Sequence, residues 1–167
     1  HSLADVASCT KFMNKFNIGF THLYNAMSGN DHRNPGVLSA ALAYGQFAEI
    51  ICDLQHVSIE AIKITKKSIP NLYAVTDSIG AAGLKDGDYK FANVQISKKG
   101  EKITLTNSSI LAGSVVSMHK TFLNLLKIQY TIQEAVAMTS FNASKYLNLN
   151  DVGKIEEGYR SNFLILD

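Results

Sequence analysis

Hydrophobic and polar positions along this chain follow two periods that switch in a regular order. Leu3, Val6, Ala7, Phe12, Met13 and Phe16 recur at helical spacing. They predict a first helix with Ser2 as N-cap and Asp5 as its capping-box-like partner. Asn17-Ile18-Gly19-Phe20 reads as the end of a buried strand. Pro35 and Gly36 open a second helix, with Val37, Leu38, Ala41 and Leu42 inward and Gly45 at its end. Phe47 to Leu54 is nearly all apolar, as expected of a parallel strand covered on both faces. Ser58 caps a third helix whose lysines, Lys63, Lys66 and Lys67, suit a solvated face and the C-terminal end of the helix dipole. Pro70 stops that helix, and Leu72 to Thr76 is the next strand. Helix and strand in alternation imply an α/β fold with parallel strands and right-handed crossovers.

Past residue 80 the period changes. Gly80 to Gly87 is a glycine- and alanine-rich loop. Tyr89 to Ile96 and Lys102 to Thr106 alternate in period two and predict a β-hairpin. The loop Leu111 to Ser114 leads into a helix over Val115 to Ile128. Thr131 and Glu134 form a capping box for another helix, and Asn142 to Leu149 reads as a short one. Gly153 to Ile155 and Asn162 to Asp167 read as two short strands around a turn at Gly158. The chain opens on His1 without a methionine and its last strand stops abruptly, so a piece of a longer protein is expected.

Composition narrows the function classes. The 167 residues suffice for one domain with a real core, and 46% hydrophobic with 18% charged residues fits a globular chain. A net charge of +2 is too small to argue for nucleic acid. No stretch is apolar enough to span a membrane as a helix, and no N-terminal signal pattern is present. Cys9 and Cys52 read as reduced structural thiols, which fits a cytoplasmic setting. There is no G-x-S-x-G elbow, P-loop or C-x-x-C motif. His119 falls within a predicted helix and reads as a surface or packing residue.

The candidate chemistry lies where strands end. His22 follows the first strand, His56 follows the second and Asp77 follows the third, while His1 stands before the first helix. Ligands and metals bind at such strand ends in barrels and open α/β sheets. Imidazole suits Zn²⁺ or Fe²⁺, and a carboxylate nearby can move a proton to and from water. Spacing alone leaves two readings open: a hydrolytic metal site, or strand-end histidines that are hydrogen-bonded structural residues.

Five stretches, taken in order, carry a resemblance. They are Thr21-His22-Leu23-Tyr24-Asn25-Ala26-Met27, His32-Arg33-Asn34-Pro35-Gly36, Cys52-Asp53-Leu54-Gln55-His56-Val57, Val75-Thr76-Asp77-Ser78 with Ala81-Ala82-Gly83, and Leu111-Ala112-Gly113-Ser114. Together they resemble the N-acetylglucosamine-6-phosphate deacetylases of the amidohydrolase superfamily, over essentially the whole chain. His1-Ser2 is similar to that family's Gly-His-Ser segment without the glycine.

The resemblance implies that residues 1–150 are the C-terminal half of a (β/α)8 TIM-like barrel, with a hairpin insertion at about 88–106. Residues 151–167 would begin the return into a small β-sandwich domain, of which the chain holds an edge. The earlier strands are absent, and no glutamate here matches the family's metal-binding glutamate. By the same resemblance, His1 and His22 are metal ligands for one or two divalent ions, Zn or Fe, and Asp77 is the catalytic acid–base. Asn25, Ala26, Arg33, His56 and Leu111 are substrate-binding. Arg33 would reach the phosphate held by a neighbouring subunit, which implies a homodimer. The implied reaction is hydrolysis of the acetamide of N-acetylglucosamine 6-phosphate, with this half expected to be inactive without the missing half. Two other readings remain: a related amidohydrolase acting on another amide, or a non-catalytic half-barrel.

Overall fold

The computed structural model describes residues 1–165. Its centre is a three-stranded parallel sheet, β1 (Gly19–Phe20), β2 (Phe47–Ile51) and β3 (Asn71–Val75), in sequence order. The register pairs Phe20 with Ala48, and Ala48 with Leu72. Alternation along the strands then decides the two faces. Ala48, Ile50 and Cys52 join Leu72 and Ala74 in the main core, against Leu38 and Ala41 of α2 (Val37–Tyr44) and Ile62 of α3 (Ile59–Ser68). Glu49 and Tyr73 occupy the opposite face, paired in register. Ile50 is fully buried, so Ile50→Ala is expected to cost about 2–5 kcal/mol of stability by urea unfolding.

Caps and termini follow local chemistry with one displacement. Ser58 accepts from the Ala61 N–H and starts α3, and Gly45 ends α2, as the sequence predicts. The first helix, α1 (Val6–Met13), is capped by Asp5, whose carboxylate accepts from the Ser8 N–H at 2.8 Å. Ser2 is not the cap, because its backbone is committed elsewhere. Its N–H donates to the Ala26 carbonyl at 3.1 Å, and its carbonyl accepts from the Ser28 N–H at 2.9 Å. This pairing aligns Ser2 with Met27 as a parallel bridge beside the β1 loop. The apolar face expected of α1 is also split. Val6, Cys9 and Met13 pack on the core, while Leu3 and Phe12 are 88% and 58% exposed.

The predicted hairpin is a three-stranded antiparallel meander, β4 (Gly87–Phe91), β5 (Val94–Lys99) and β6 (Lys102–Leu105). Tyr89 to Ile96 is therefore two strands rather than one. The chain reverses at Ala92, where φ is 49°, and period-two patterning cannot report a reversal that keeps the alternation in step. Ile96 and Ile103 pack with Ala81 into a small second cluster that Ile79, Ala112 and Val115 flank.

After it come α4 (Met118–Lys127), capped by Ser117, and α5 (Ile132–Val136), with the capping box of Thr131 and Glu134. A π-helical turn (Ala137–Phe141) then runs into α6 (Asn142–Tyr146). It delivers the Asn142 amide to the Leu72 carbonyl at 2.8 Å, tying α6 to β3. His119 is exposed on α4.

Over residues 153–165 no strand forms, contrary to expectation. Arg160 closes the turn around Gly158 by donating from its N–H to the Asp151 carbonyl and from Nε to the Asp151 carboxylate, each at 2.7 Å. Leu164 and Ile165 remain 86% and 88% exposed. A short apolar run makes a strand only where a ladder partner is present, and among the described residues none pairs with this segment. Leu166 and Asp167, the end of the second predicted strand, lie outside the described residues. Among the described residues, no helix is long and apolar enough to cross a membrane.

Candidate functional site

Among the described residues nine non-glycine residues have positive φ, and five of them follow the C-terminal ends of the parallel strands. These are His22 (28°), Tyr24 (79°) and Ala26 (51°) after β1, Leu54 (62°) after β2 and Asp77 (47°) after β3. Each such residue costs on the order of 1–3 kcal/mol and persists only where its surroundings over-determine it. Most of these strained positions thus gather at the C-terminal end of the sheet.

The surroundings of His22 show how it is held. Leu23 is fully buried, and its N–H donates to the Glu49 carbonyl at 2.8 Å. The His22 carbonyl accepts from the Asn25 N–H at 3.0 Å and from the Asn25 side-chain amide at 3.2 Å. That amide also reaches the Leu23 carbonyl at 3.2 Å. The Asn25 amide group is therefore spent on its own loop. The Ala26 carbonyl takes the Ser2 N–H, which brings His1 alongside.

The His1 and His22 rings lie 5.2 Å apart, tilted by 56°. His22 Nδ1 is buried and has no hydrogen-bond partner among the described residues. A buried imidazole nitrogen without a partner is costly unless something else occupies its lone pair. Two adjacent imidazoles, one with an orphaned nitrogen, fit part of the donor set of a divalent transition-metal ion. Asp77 does not join them: among the described residues, no three His, Cys, Asp or Glu side chains are grouped closely enough to hold one ion.

Asp77 is exposed, and its loop is held by the segment Leu111 to Ser114. The Ser114 N–H donates to the Asp77 carbonyl at 3.0 Å, and the Ile79 N–H donates to the Ser114 carbonyl at 3.1 Å. The Ser114 hydroxyl donates to the Thr76 carbonyl, and the Ser78 hydroxyl to the Val116 carbonyl at 2.7 Å. Leu111 is half-buried at a bridge to Thr104 on β6, so the same segment links the meander to the Asp77 loop. Gly113 takes φ +79°, and a Cβ there would lie 2.5 Å from a methyl of Ile79. Gly113→Ala is therefore expected to destabilise by about 1–3 kcal/mol. Proteolysis within residues 107–116 should accelerate in step.

His56 belongs to a closed unit. Its Nδ1 lies 2.7 Å from the Asp53 carboxylate, and the two side chains are 7% and 6% exposed. The other Asp53 oxygen accepts from the Gln55 and His56 N–H groups, each at 2.9 Å. Burial pushes the Asp53 carboxyl up, but the hydrogen bonds and charge of His56 and the Gln55 amide outweigh it and hold the group below its ordinary range. Arg33 is exposed on the loop after His22, where its N–H donates to Asp31 at 2.8 Å.

Sequence reasoning gave no role to several residues that shape this edge. Asn124 donates to the Cys52 carbonyl at 3.0 Å, anchoring α4 under the Asp53 loop. Glu49 accepts from the Thr21 hydroxyl at 2.5 Å and the Tyr73 hydroxyl at 3.2 Å. A charge inside the apolar run Phe47 to Leu54 is a signal that could have marked Glu49. Cys9 and Cys52 are free and buried, and burial pushes the Cys52 thiol up to about 12, so it is not a nucleophile.

The sequence profile of the Amidohydrolase family matches residues 1–167. N-acetylglucosamine-6-phosphate deacetylase of Bacillus subtilis is 36% identical over 151 residues, 87% of this chain and 38% of that protein. The putative N-acetylgalactosamine-6-phosphate deacetylase of Escherichia coli K12 is 31% identical over 153 residues, 87% of this chain and 89% of its own length. The crystal structure of N-acetylglucosamine-6-phosphate deacetylase from Thermotoga maritima superposes with a TM-score of 0.89 at 33% identity, covering 96% of this chain and 45% of that one. The chain thus spans less than half the length of the Bacillus and Thermotoga proteins.

Proposed function

The chain belongs to the amidohydrolase family, and on that premise we propose that it is the C-terminal half of a metal-dependent deacetylase barrel acting on N-acetylglucosamine 6-phosphate. The observation that carries this reading is the buried His22 Nδ1, without a partner among the described residues, beside the His1 ring at the C-terminal end of the sheet, the end at which Asp77 also stands. His1 and His22 would hold a divalent ion, Zn or Fe, as one or two ions, with further donors from the half that completes the barrel. When bound, such an ion supplies Lewis acidity toward the acetamide and toward water.

The other roles follow from what each group can do. Asp77 accepts the proton of the attacking water and then donates it to the sugar nitrogen as the C–N bond breaks, releasing acetate and the free amine. The exposed Ala26, with its left-handed backbone, and the exposed Arg33 can both meet a phosphate. Arg33 reaching a neighbouring subunit's phosphate would make the enzyme a homodimer. His56, with Nδ1 occupied by Asp53, keeps Nε2 for a substrate hydroxyl. Leu111 would lie against the acetyl group. Residues 151–167 would return toward a small β-sandwich. Two free, buried thiols suit a reducing, cytoplasmic setting.

The test is acetate release from N-acetylglucosamine 6-phosphate by the full-length enzyme, with and without added Zn²⁺ or Fe²⁺. Metal-dependent release is expected, and its absence would sink the proposal. The galactosamine epimer belongs in the same assay, because the Escherichia coli K12 relative carries that name. A second reading is a non-catalytic half-barrel; this chain covers 89% of that relative, so a chain of similar length occurs in the family. Release by this chain alone would exclude the second reading.

A further inference from the structure

Glu49 has no part in the chemistry above, yet it is the acidic residue of an otherwise apolar strand, FAEII. A carboxylate there is costly unless its oxygens are occupied. One oxygen accepts from the Tyr73 hydroxyl of β3 at 3.2 Å. The other accepts from the Thr21 hydroxyl at 2.5 Å and, at a longer 3.4 Å, from the His22 N–H. The Glu49 backbone carbonyl accepts from the Leu23 N–H at 2.8 Å. Three consecutive residues, Thr21, His22 and Leu23, are therefore all bonded to this one residue.

We infer that Glu49 is a positioning residue for the metal site, holding His22 in its ligating geometry from the face of the sheet opposite α2 and α3. The inference rests on the metal reading of His22. A simple tie between β2 and β3 would need only the Tyr73 arm. The second oxygen is turned instead to the two residues that set the His22 backbone, whose φ of 28° requires a fixed support. Asn25 grips the carbonyl of His22 while Glu49 grips its amide side. Groups that orient metal ligands in this indirect way typically matter about 10–100-fold in metal affinity.

The experiment is Zn²⁺ affinity by competition with a chromophoric chelator, together with melting of the metal-free form, on the full-length enzyme. Glu49→Gln is expected to weaken Zn²⁺ binding about 10–100-fold. Tyr73→Phe, which cuts only the other arm, should lower the melting temperature while leaving affinity close to wild type. Unchanged affinity in Glu49→Gln would overturn the inference. So would an equal affinity loss in Tyr73→Phe, since the effect would then be general stability. If Glu49→Gln does not fold, Thr21→Val carries the same test: weaker Zn²⁺ binding supports the inference and unchanged binding overturns it. If wild type binds no Zn²⁺, or His22→Ala binds as wild type does, the metal reading itself falls and this inference falls with it.

Discussion

Asp77→Asn in the full-length enzyme is expected to lower turnover by about 10²–10⁴-fold, the usual contribution of a positioned general acid–base. The amide keeps the shape of the side chain but can neither take a proton from water nor return one to the sugar nitrogen. Asp77 is exposed, and the Ser114 and Val116 contacts that hold its loop use backbone atoms and neighbouring serines. The substitution should therefore leave the melting temperature nearly unchanged. Substrate affinity should also change little, because the role assigned to Asp77 lies in the reaction steps. Steady-state kinetics with a melting curve separate these quantities. Full activity in Asp77→Asn would remove Asp77 from the mechanism.

Asp53→Ala is expected to be the most destabilising change at the strand edge, at about 3–5 kcal/mol, because it removes one partner of a buried pair. Three donors, His56 Nδ1–H and the Gln55 and His56 N–H groups, would lose their acceptor together. The loss has a pH signature. The Asp53 carboxyl is held below its ordinary range in the folded chain, so the folded state binds its proton less readily than the unfolded state does. The stabilisation is therefore complete above the unfolded pKa, about 3.9, and is lost as pH falls through the lower folded value. Urea unfolding across the acid range should show a steep decline for wild type and a shallower one for Asp53→Asn. Identical acid slopes would mean that the pair does not contribute in this way.

The legible part of the fold was the part written in local chemistry. Ser58, Gly45 and the Thr131–Glu134 box mark helix ends because a cap is satisfied within a few residues. The runs at Phe47 and Leu72 announce buried parallel strands because both faces must be apolar. The misplaced elements were decided by partners distant in sequence. Ser2 has the composition of an N-cap, yet its backbone pairs with Ala26 and Ser28, and the helix starts at Asp5's expense instead. Residues 153–155 and 162–165 read as strands, but among the described residues no ladder takes them up.

The site divides in the same way. The sequence by itself determined which residues could carry chemistry: two histidines and an aspartate next to strand ends, within stretches specific enough to imply the family. Only the tertiary structure decided how they are held. It set His1 against His22 through the Ser2–Met27 bridge. It turned the Asn25 amide onto its own loop, closed His56 onto Asp53, and bonded Glu49 to Thr21, His22 and Leu23. The physical reason is range. A cap or an apolar period is satisfied by neighbours in the chain. A buried imidazole or carboxylate is satisfied by groups that only the packing of β1, β2 and β3 brings within hydrogen-bond distance.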